Sequence, residues 1–185
     1  MYIPFRVFRE LEIPGPVLIE PVVFHDERGI FKEIYKRTDF LSNYIPYDFV
    51  QANVSISRRG VIRGLHYQLR PAEQGKLVTV LRGRIFDVAV DIRRRSRWYG
   101  AYVAVELSEE NHRLLWVPPG FAHGFQSLED NTVVLYLVTK EYSPAHERCI
   151  RWDDPRISIQ WPIDNVVVSE KDRNCPLLDE AETNF

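Results

Sequence analysis

The chain has 185 residues and a mass of 21.8 kDa, with 24 Lys and Arg residues against 26 Asp and Glu residues and a net charge of -2. A near-neutral balance and a pI of about 6.2 lack the basic surface that a general nucleic-acid binder needs. No apolar run reaches the roughly 18 residues of a membrane-spanning helix. Charges at Arg6, Arg9, Glu10 and Glu12 fall where a signal peptide needs apolar residues. We therefore expect a soluble, cytoplasmic protein with neither nucleic acid nor a membrane as its partner.

Length and composition predict a single domain over residues 1–185. Hydrophobic residues make up 45% of the chain and aromatic residues 12%, which is too rich for a disordered chain. A chain of this mass buries roughly 70% of its extended surface, which is ample for one core. No linker, repeat or low-complexity tract divides it. The two cysteines, Cys149 and Cys175, are too few for a disulfide framework and lack metal-ligand spacing.

The arrangement of the apolar residues predicts strands. Short runs rich in Val, Ile, Tyr and Phe, separated by Gly, Pro, Asp or Asn, lie at residues 17–24, 49–57, 76–82, 85–92, 101–107 and 132–139. The turns at 82–84 and 129–131 can each join two antiparallel strands. One short helix is predicted at 38–44, with Thr38 as its N-cap, and residues from 164 onward are expected to form loops and a turn of helix. The pattern predicts an all-β fold, either a β-sandwich or a jelly-roll barrel.

Residues 85–92 alternate with the period of 2 that is typical of a strand. One face carries only apolar side chains. The other face carries Asp87 and Asp91 between Ile85 and Ala89. The two carboxylates predict that this second face is polar or lines a cavity, and that it does not fill a dry core.

The segment 51–81 holds the densest set of residues that could carry chemistry. His66 can act as a base near neutral pH, while Arg63 and Lys76 can hold an anion or polarise a carbonyl group. The alternative is a strand with a partly buried histidine and ordinary surface cations. Strict alternation puts Arg63 and His66 on opposite faces, so both can serve one site only if Gly64 breaks the pleat.

Three further residues could have either a chemical or a structural role. His123, delivered by a Pro-Pro-Gly turn, could bind a ligand or be a core histidine bonded to backbone. Tyr136 could donate a proton into a cavity, although a tyrosine in a strand is usually a packed residue. Asp172, judged by its neighbours alone, is a solvated loop charge.

A metal site is the main alternative for two histidines in a small barrel. Such barrels usually supply His-x-His together with a carboxylate and a distant histidine, but here the corresponding residues are His66, Tyr67 and Gln68, and Gln is a poor ligand. The remaining histidines lack partner spacing, and no phosphate-binding loop or other cofactor motif is present. We expect neither a metal nor another cofactor.

Eight segments together cover nearly the whole chain in the order and spacing of one known family. They are FHDERGIFKEIY at 24–35, FVQANVSIS at 49–57, GVIRGLHYQ at 60–68, QGKLVTVLRGRIFDVAVDIR at 74–93, LWVPPGFAHGF at 115–125, LYLVTKEYSP at 135–144, IRWDDPRISIQWP at 150–162 and SEKDRNCPLL at 169–178. Through these segments the chain resembles the dTDP-4-dehydrorhamnose 3,5-epimerases of the cupin superfamily. The resemblance implies a cupin-type jelly roll and a homodimeric isomerase that needs no cofactor.

The resemblance also implies a reaction and four catalytic positions. The substrate would be dTDP-4-dehydro-6-deoxy-D-glucose, inverted at C3 and C5 to dTDP-4-dehydro-L-rhamnose for dTDP-L-rhamnose biosynthesis. A single-carbon epimerase on the same nucleotide sugar is the alternative. His66 matches the family's base and Asp172 the carboxylate that orients it. Tyr136 matches the proton donor on the opposite face of the sugar, and Lys76 the cation near the C4 oxygen.

Eight other positions match substrate-binding residues of the family. They are Arg28, Glu33, Gln51, Asn53, Arg63, His123, Glu147 and Lys171. Among them, Arg28 and Glu33 match residues that reach across the dimer to the nucleotide site of the partner.

Overall fold

A computed structural model describes residues 4–185, which contain fourteen strands and two short helices. The strands are β1 (Phe5–Glu10), β2 (Val17–Pro21), β3 (Val23–Asp26), β4 (Gly29–Lys32), β5 (Gln51–Ser57), β6 (Val61–Gln68), β7 (Lys76–Arg82), β8 (Arg84–Asp91), β9 (Tyr102–Ser108), β10 (Leu114–Val117), β11 (Phe121–Ser127), β12 (Thr132–Val138), β13 (Glu147–Cys149) and β14 (Val167–Val168). The helices are α1 (Arg37–Ser42) and α2 (Glu170–Arg173). Within the described residues, no helix has the length and apolarity needed to cross a bilayer.

Two sheets form the body of the fold. The first has the order β1-β2-β10-β7-β12-β5, and the second has the order β13-β6-β11-β8-β9, with β14 added in parallel to β6. Buried side chains from both sheets, including Leu18, Val80, Ile85, Phe125 and Val134, form one core between them. The predicted all-β jelly-roll class is confirmed.

The two predicted turns connect different sheets. Residues 82–84 carry the chain from β7 in the first sheet to β8 in the second, and residues 129–131 carry it from β11 back to β12. Each turn therefore joins two strands that do not pair with each other, so neither turn forms a hairpin. In a jelly roll these turns form corners, and short turn sequences do not distinguish a corner from a hairpin.

Strand β8 is buried on both faces. Ile85 and Ala89 lie in the core between the sheets, and Asp87 on the same face is fully buried. The opposite face carries Val88 and Val90, which are covered by residues from the last part of the chain, including Leu178. The prediction that the Asp87 face would not fill a core was wrong for its apolar members, because a carboxylate can be buried where it has a partner.

The helices differ from the prediction in detail. Helix α1 begins after Lys36, which makes no side-chain cap, so the expected N-cap Thr38 lies inside the helix. Phe40 from α1 packs with Phe5, Ile45 and Trp116 on the outer face of the first sheet. Helix α2 is the expected turn of helix after residue 164, and the Ser169 hydroxyl caps it by accepting the Asp172 N–H at 3.1 Å.

The two cysteines form a disulfide, Cys149–Cys175, across 26 positions with 5.6 Å between their Cα atoms. The expectation from the cysteine count did not include this pairing. The bridge ties the end of β13 to Cys175, which comes directly after Asn174, the C-cap of α2.

Candidate active site

The pairing of β6 with β11 is interrupted beside His66. His123 lies opposite His66 and Phe125 lies opposite Arg63, so two steps along β11 match three along β6. Gly64 sits in the interruption at φ 137°, and a Cβ there would lie 2.5 Å from the Cα of Gly124. Only glycine fits this backbone. The break turns Arg63 and His66 toward the same cavity.

Two adjoining cavities are lined by residues from both sheets. The first, of about 480 Å³, is lined by Arg63, His66, Lys76, His123, Tyr136 and Asp172 together with apolar residues such as Phe125 and Val168. The second, of about 300 Å³, is more polar and is lined by Gln51, Asn53, Gln74, Tyr142 and Glu147 together with His66, Lys76 and Tyr136. These last three side chains therefore form the wall that the two cavities share.

His66 and Asp172 form a hydrogen-bonded pair. His66 Nε2 lies 2.8 Å from Oδ1 of Asp172, and Oδ2 of Asp172 accepts the N–H of Gly64 at 3.2 Å. Asp172 is only 4% exposed, so it is not the solvated loop charge that its neighbours in the sequence indicated. Burial acts to raise the pKa of Asp172, but the interactions with His66, the Gly64 N–H and the charge of Lys171 together outweigh it, so the pKa lies below its ordinary value. A charged Asp172 holds the proton on Nε2 and leaves the lone pair on Nδ1 of His66.

Lys76 is a cation held in a largely buried position. Its Nζ donates to the backbone oxygen of His66 at 3.2 Å. Burial lowers the pKa of Lys76 to about 8, against the charges of Asp87 and Glu147, which raise it. Lys76 is therefore charged at neutral pH and becomes neutral only slightly above it.

A second histidine–carboxylate pair lies on the neighbouring strands β11 and β8. His123 Nε2 is 2.8 Å from Oδ1 of Asp87, and both side chains are buried. Burial lowers the pKa of His123, although Asp87 opposes this shift. The alternative of a core histidine bonded to backbone does not hold, because the partner is a carboxylate. Oδ2 of Asp87 is buried without a hydrogen-bond partner within the described part of the chain. Sequence reasoning predicted that the face of Asp87 is polar or lines a cavity, but it did not connect Asp87 with His123, and Asp87 lines neither cavity.

Tyr136 faces His66 from the opposite sheet. It lies on β12 of the first sheet, while His66 lies on β6 of the second, and both line both cavities. Burial raises the pKa of the Tyr136 hydroxyl, with Arg63 acting in the other direction. The hydroxyl therefore keeps its proton across the neutral range and can donate it.

The polar cavity contains a chain of hydrogen bonds. Gln51 Nε2 donates to Oδ1 of Asn53 at 2.8 Å, and the N–H of Tyr142 donates to Oε1 of Gln51 at 2.8 Å. Glu147 accepts from the Tyr142 hydroxyl at 2.7 Å and from Lys171 Nζ at 2.6 Å. Sequence reasoning missed Tyr142, because it follows β12 in a loop where no periodicity marks it.

Two predicted binding residues lie elsewhere. Arg28 and Glu33 line neither cavity. Arg28 projects from the two-stranded β3–β4 hairpin with its side chain 86% exposed and bonds Asp26. Oε2 of Glu33 is buried and has no hydrogen-bond partner among residues 4–185.

Gln68, which occupies the position of a metal ligand in the His-x-His pattern, has a different role here. Its Nε2 donates to the backbone oxygen of Ala72 at 2.6 Å, and its Oε1 accepts the N–H of Ser143 at 2.7 Å. Residues 4–185 contain no cluster of three His, Cys, Asp or Glu side chains that could hold a metal ion.

A jelly roll with a His–Asp pair, a buried cation and a facing tyrosine around one cavity defines a class of protein suited to acid–base chemistry on a polar substrate. Over residues 10–180 the chain matches the profile of the family described as dTDP-4-dehydrorhamnose 3,5-epimerase. The chain belongs to this family, and the resemblance predicted from its motifs is confirmed.

Relatives and solved structures that are named as 3,5-epimerases match almost the whole chain. The chain is 49% identical over 176 residues to the dTDP-4-dehydrorhamnose 3,5-epimerase of Methanothermobacter thermautotrophicus, which covers 94% of this chain and 95% of the relative. The crystal structure of the protein of that name from Sulfolobus tokodaii has a TM-score of 0.92 and 53% identity, covering 99% of this chain and 100% of that one. A Legionella pneumophila dTDP-6-deoxy-D-glucose-3,5-epimerase in complex with dTDP-4-keto-L-rhamnose has a TM-score of 0.91 and 43% identity, covering 94% and 93%.

Proposed function

We propose that this enzyme inverts C3 and C5 of dTDP-4-dehydro-6-deoxy-D-glucose to give dTDP-4-dehydro-L-rhamnose, a step of dTDP-L-rhamnose biosynthesis. The observation that carries the proposal is the placement of three side chains around one cavity: His66 on the second sheet, its partner Asp172 on α2, and Tyr136 on the first sheet. Family membership supports the same reaction. No metal or organic cofactor has a part in the proposed chemistry.

The chemistry begins with removal of a proton next to a ketone. In a 4-keto sugar both C3 and C5 flank the carbonyl, so each C–H can ionise to an enolate. His66 Nδ1 takes the proton, and Asp172 stabilises the imidazolium that forms. Lys76 places positive charge where the enolate oxygen develops, in a site largely screened from water. The base therefore acts from the β6 side of the cavity.

Inversion requires that the new proton arrive from the other face of the sugar. Tyr136 is the proposed donor, since it lines the same cavities as His66 but lies on the first sheet, and its hydroxyl keeps its proton at neutral pH. Arg63 and His123 would contact the sugar in the first cavity. Inversion at a given carbon then consists of proton removal on one face and proton delivery on the other.

The polar cavity is the proposed site for the nucleotide part of the substrate. Gln51 and Asn53 would bind through their amides. Lys171, which lines the first cavity and bonds Glu147 of the polar cavity, would bind the diphosphate with its charge. Glu147 holds Lys171 at 2.6 Å and so fixes the direction of that cation. The Lys171 side chain is partly exposed, so its contribution is screened by solvent.

A homodimer is proposed as the working form. Outer-face residues of the edge strand β5 are apolar and exposed, with Val54 at 59% and Ile56 at 64%. The β3–β4 hairpin exposes Phe31 at 61% beside the charged Arg28. If a second copy of the chain covers these residues, Arg28 and Glu33 of each copy would lie at the nucleotide site of the other copy.

Mixed dimers test this arrangement. Arg28→Ala and His66→Ala chains are each purified, mixed and allowed to exchange. If Arg28 serves the partner, mixed dimers regain one complete site, and random exchange restores about a quarter of wild-type sites. Activity no higher than that of the separate variants would contradict the exchange of residues between subunits.

The reaction itself is tested by incubating the protein with dTDP-4-dehydro-6-deoxy-D-glucose in D₂O and reading deuterium at C3 and C5 by NMR. Label at both carbons, with the doubly inverted product, supports the proposal. Label at one carbon identifies the single-carbon epimerase. Absence of label at either carbon would overturn the proposed reaction on this substrate.

The proposed location is the cytoplasm, because the nucleotide part of the substrate is made there. Disulfides are rare in cytosolic proteins of mesophiles, whereas proteins of hyperthermophiles often contain them. Cell fractionation, with alkylation of free thiols at lysis, tests both the location and the state of Cys149 and Cys175. Recovery of the protein outside the cell would contradict the proposed location.

A further inference from the structure

The Cys149–Cys175 disulfide joins two segments that supply site residues. Cys149 ends β13 and lies directly opposite His66 in the pairing of β13 with β6. Cys175 follows α2, the helix that carries Lys171 and Asp172. The bridge therefore fixes the end of α2 to the strand next to His66.

The other contacts of α2 are few. It is four residues long, and so short a helix has little stability of its own. Besides its Ser169 cap, three side-chain contacts among the described residues hold it: Asp172 with Nε2 of His66, Asp172 with the Gly64 N–H, and the partly exposed Lys171–Glu147 pair. The pairing of β14 with β6, just before it, covers only two residues. The covalent bridge adds an attachment that neither water nor salt weakens.

We propose that the Cys149–Cys175 disulfide is a positioning element of the epimerase site, which holds the Asp172 carboxylate in register with Nε2 of His66. This inference rests on the proposed function of that pair. Neither cysteine lines a cavity, so both act through Asp172, three residues before Cys175. A misplacement of about 1 Å at such a pair can cost on the order of a hundredfold in rate.

A purely stabilising disulfide predicts something different. A bridge across 26 positions restricts the unfolded chain and raises the unfolding temperature whatever it does in the native state. Under that alternative, the folded protein without its bridge keeps the native His66–Asp172 pair and the native rate. The two accounts therefore differ in the folded enzyme, at temperatures well below unfolding.

The experiment compares the oxidised protein with two forms that lack the bridge. Dithiothreitol reduces it by two thiol–disulfide exchanges: the S–S bond breaks, Cys149 and Cys175 each take up a proton as thiols, and the reductant becomes a cyclic disulfide. The C149A/C175A variant gives the same comparison if the native bridge resists reduction. Conversely, if the variant does not fold, reduction of the folded wild-type protein provides the comparison. Circular dichroism establishes that each form is folded at the assay temperature.

Two readouts are used. In the kinetic readout, we expect kcat to fall at least about tenfold on loss of the bridge while KM changes little, and reoxidation to restore it. In the spectroscopic readout, ¹⁵N-histidine NMR reports the tautomer of His66, assigned by comparison with His66→Ala. We expect a single Nε2–H tautomer in the oxidised protein and a mixture once the bridge is lost. The C149A/C175A variant must not respond to dithiothreitol.

Ile45→Ala is the matched control for stability. Ile45 is buried in the cluster beneath α1, on the outer face of the first sheet and apart from α2. This variant should lower the unfolding temperature without changing kcat or the His66 tautomer. A native rate and a single tautomer in the folded, bridge-free forms would overturn the proposal. The His66 tautomer is measured without substrate, so the NMR readout does not depend on turnover. Lack of turnover in the oxidised protein would therefore count against the proposed function, while the NMR result alone would decide the positioning role.

Discussion

The Nε2 atom of His66 lies 2.8 Å from Oδ1 of Asp172, although 106 positions separate the two residues. The parallel pairing of β14 with β6 produces this contact. It aligns Val167 with Val61 and Val168 with Ile62, and α2 begins two residues later. The position of the carboxylate is thus set by a two-residue ladder, a helix cap and a disulfide.

Asp172→Asn removes the charge of the carboxylate with little change in shape. An amide can accept from Nε2 of His66, but it no longer stabilises the imidazolium, so we expect kcat to fall roughly 10²–10³-fold. Steady-state kinetics checks this. Asp153→Asn, which removes the surface partner of Arg151, is the control and should keep the wild-type rate. Equal rates in the two variants would contradict the role of Asp172.

His66→Ala removes the proposed base. Exchange of deuterium at C3 and C5 should fall by about 10³-fold or more, because no other group in the cavity can take the proton as well. Binding of dTDP, measured by calorimetry, should stay close to wild type, since the polar cavity keeps its other residues. Near-native exchange in this variant would mean that His66 is not the base.

Tyr136→Phe separates proton removal from inversion. The base stays in place, so exchange of solvent deuterium should continue, while the doubly inverted product should fall by about 10²-fold. NMR of the product mixture measures both quantities in one sample. The control is Tyr99→Phe. The Tyr99 hydroxyl donates to the backbone oxygen of Leu178 at 3.5 Å, and Tyr99 lines neither cavity. An unchanged product yield would reject Tyr136 as the donor.

Lys76 should set the alkaline limit of the reaction. Its pKa of about 8 means that it loses its charge as the pH rises through this value, and stabilisation of the enolate is lost with it. We expect kcat/KM to decline above about pH 8. Lys76→Arg keeps its charge at all accessible pH and should abolish that decline, at a plateau reduced about tenfold by the larger guanidinium group. Lys140→Arg, at the surface pair with Glu73, should retain the wild-type profile.

Asp87→Asn tests the pair of His123 and Asp87. The charge of Asp87 raises the pKa of Lys76, so its removal should move the alkaline decline of kcat/KM to lower pH. The rate at pH 7 should also fall about 10–100-fold, because His123 loses the carboxylate that orients it. A pH–rate profile and circular dichroism measure these effects. A profile that coincides with wild type would exclude any influence of Asp87 on Lys76.

Much of the fold was predictable because strand periodicity is local. The strand predicted at 76–82 has the bounds of β7, and that predicted at 132–139 differs from β12 by one residue. Strands β1, β4, β10, β11, β13 and β14 lie outside the predicted runs. All of β10 and β11 is buried, so neither has the alternation that marks a half-exposed strand.

The site was predictable in part. Residue types alone selected His66, Arg63 and Lys76, which line one cavity, and they gave the condition that Gly64 must break the pleat, which the strand pairing meets. They could not identify Asp172 or pair Asp87 with His123, because both pairings depend on contacts between distant strands. Motif resemblance supplied Asp172 as an expectation. The disulfide was outside both kinds of reasoning, since 26 positions and two cysteines contain no signal of proximity.

His66, Lys76 and Tyr136 form the wall between the two cavities, and this makes the size of the ligand part of its reactivity. A molecule that fills only one cavity can slide along that wall. One that fills both is anchored at each end, and its middle has a single position against the proposed base, cation and proton donor. Binding energy gained at the remote end is then spent on alignment, so a free keto sugar without its nucleotide should react slowly even at saturating concentration.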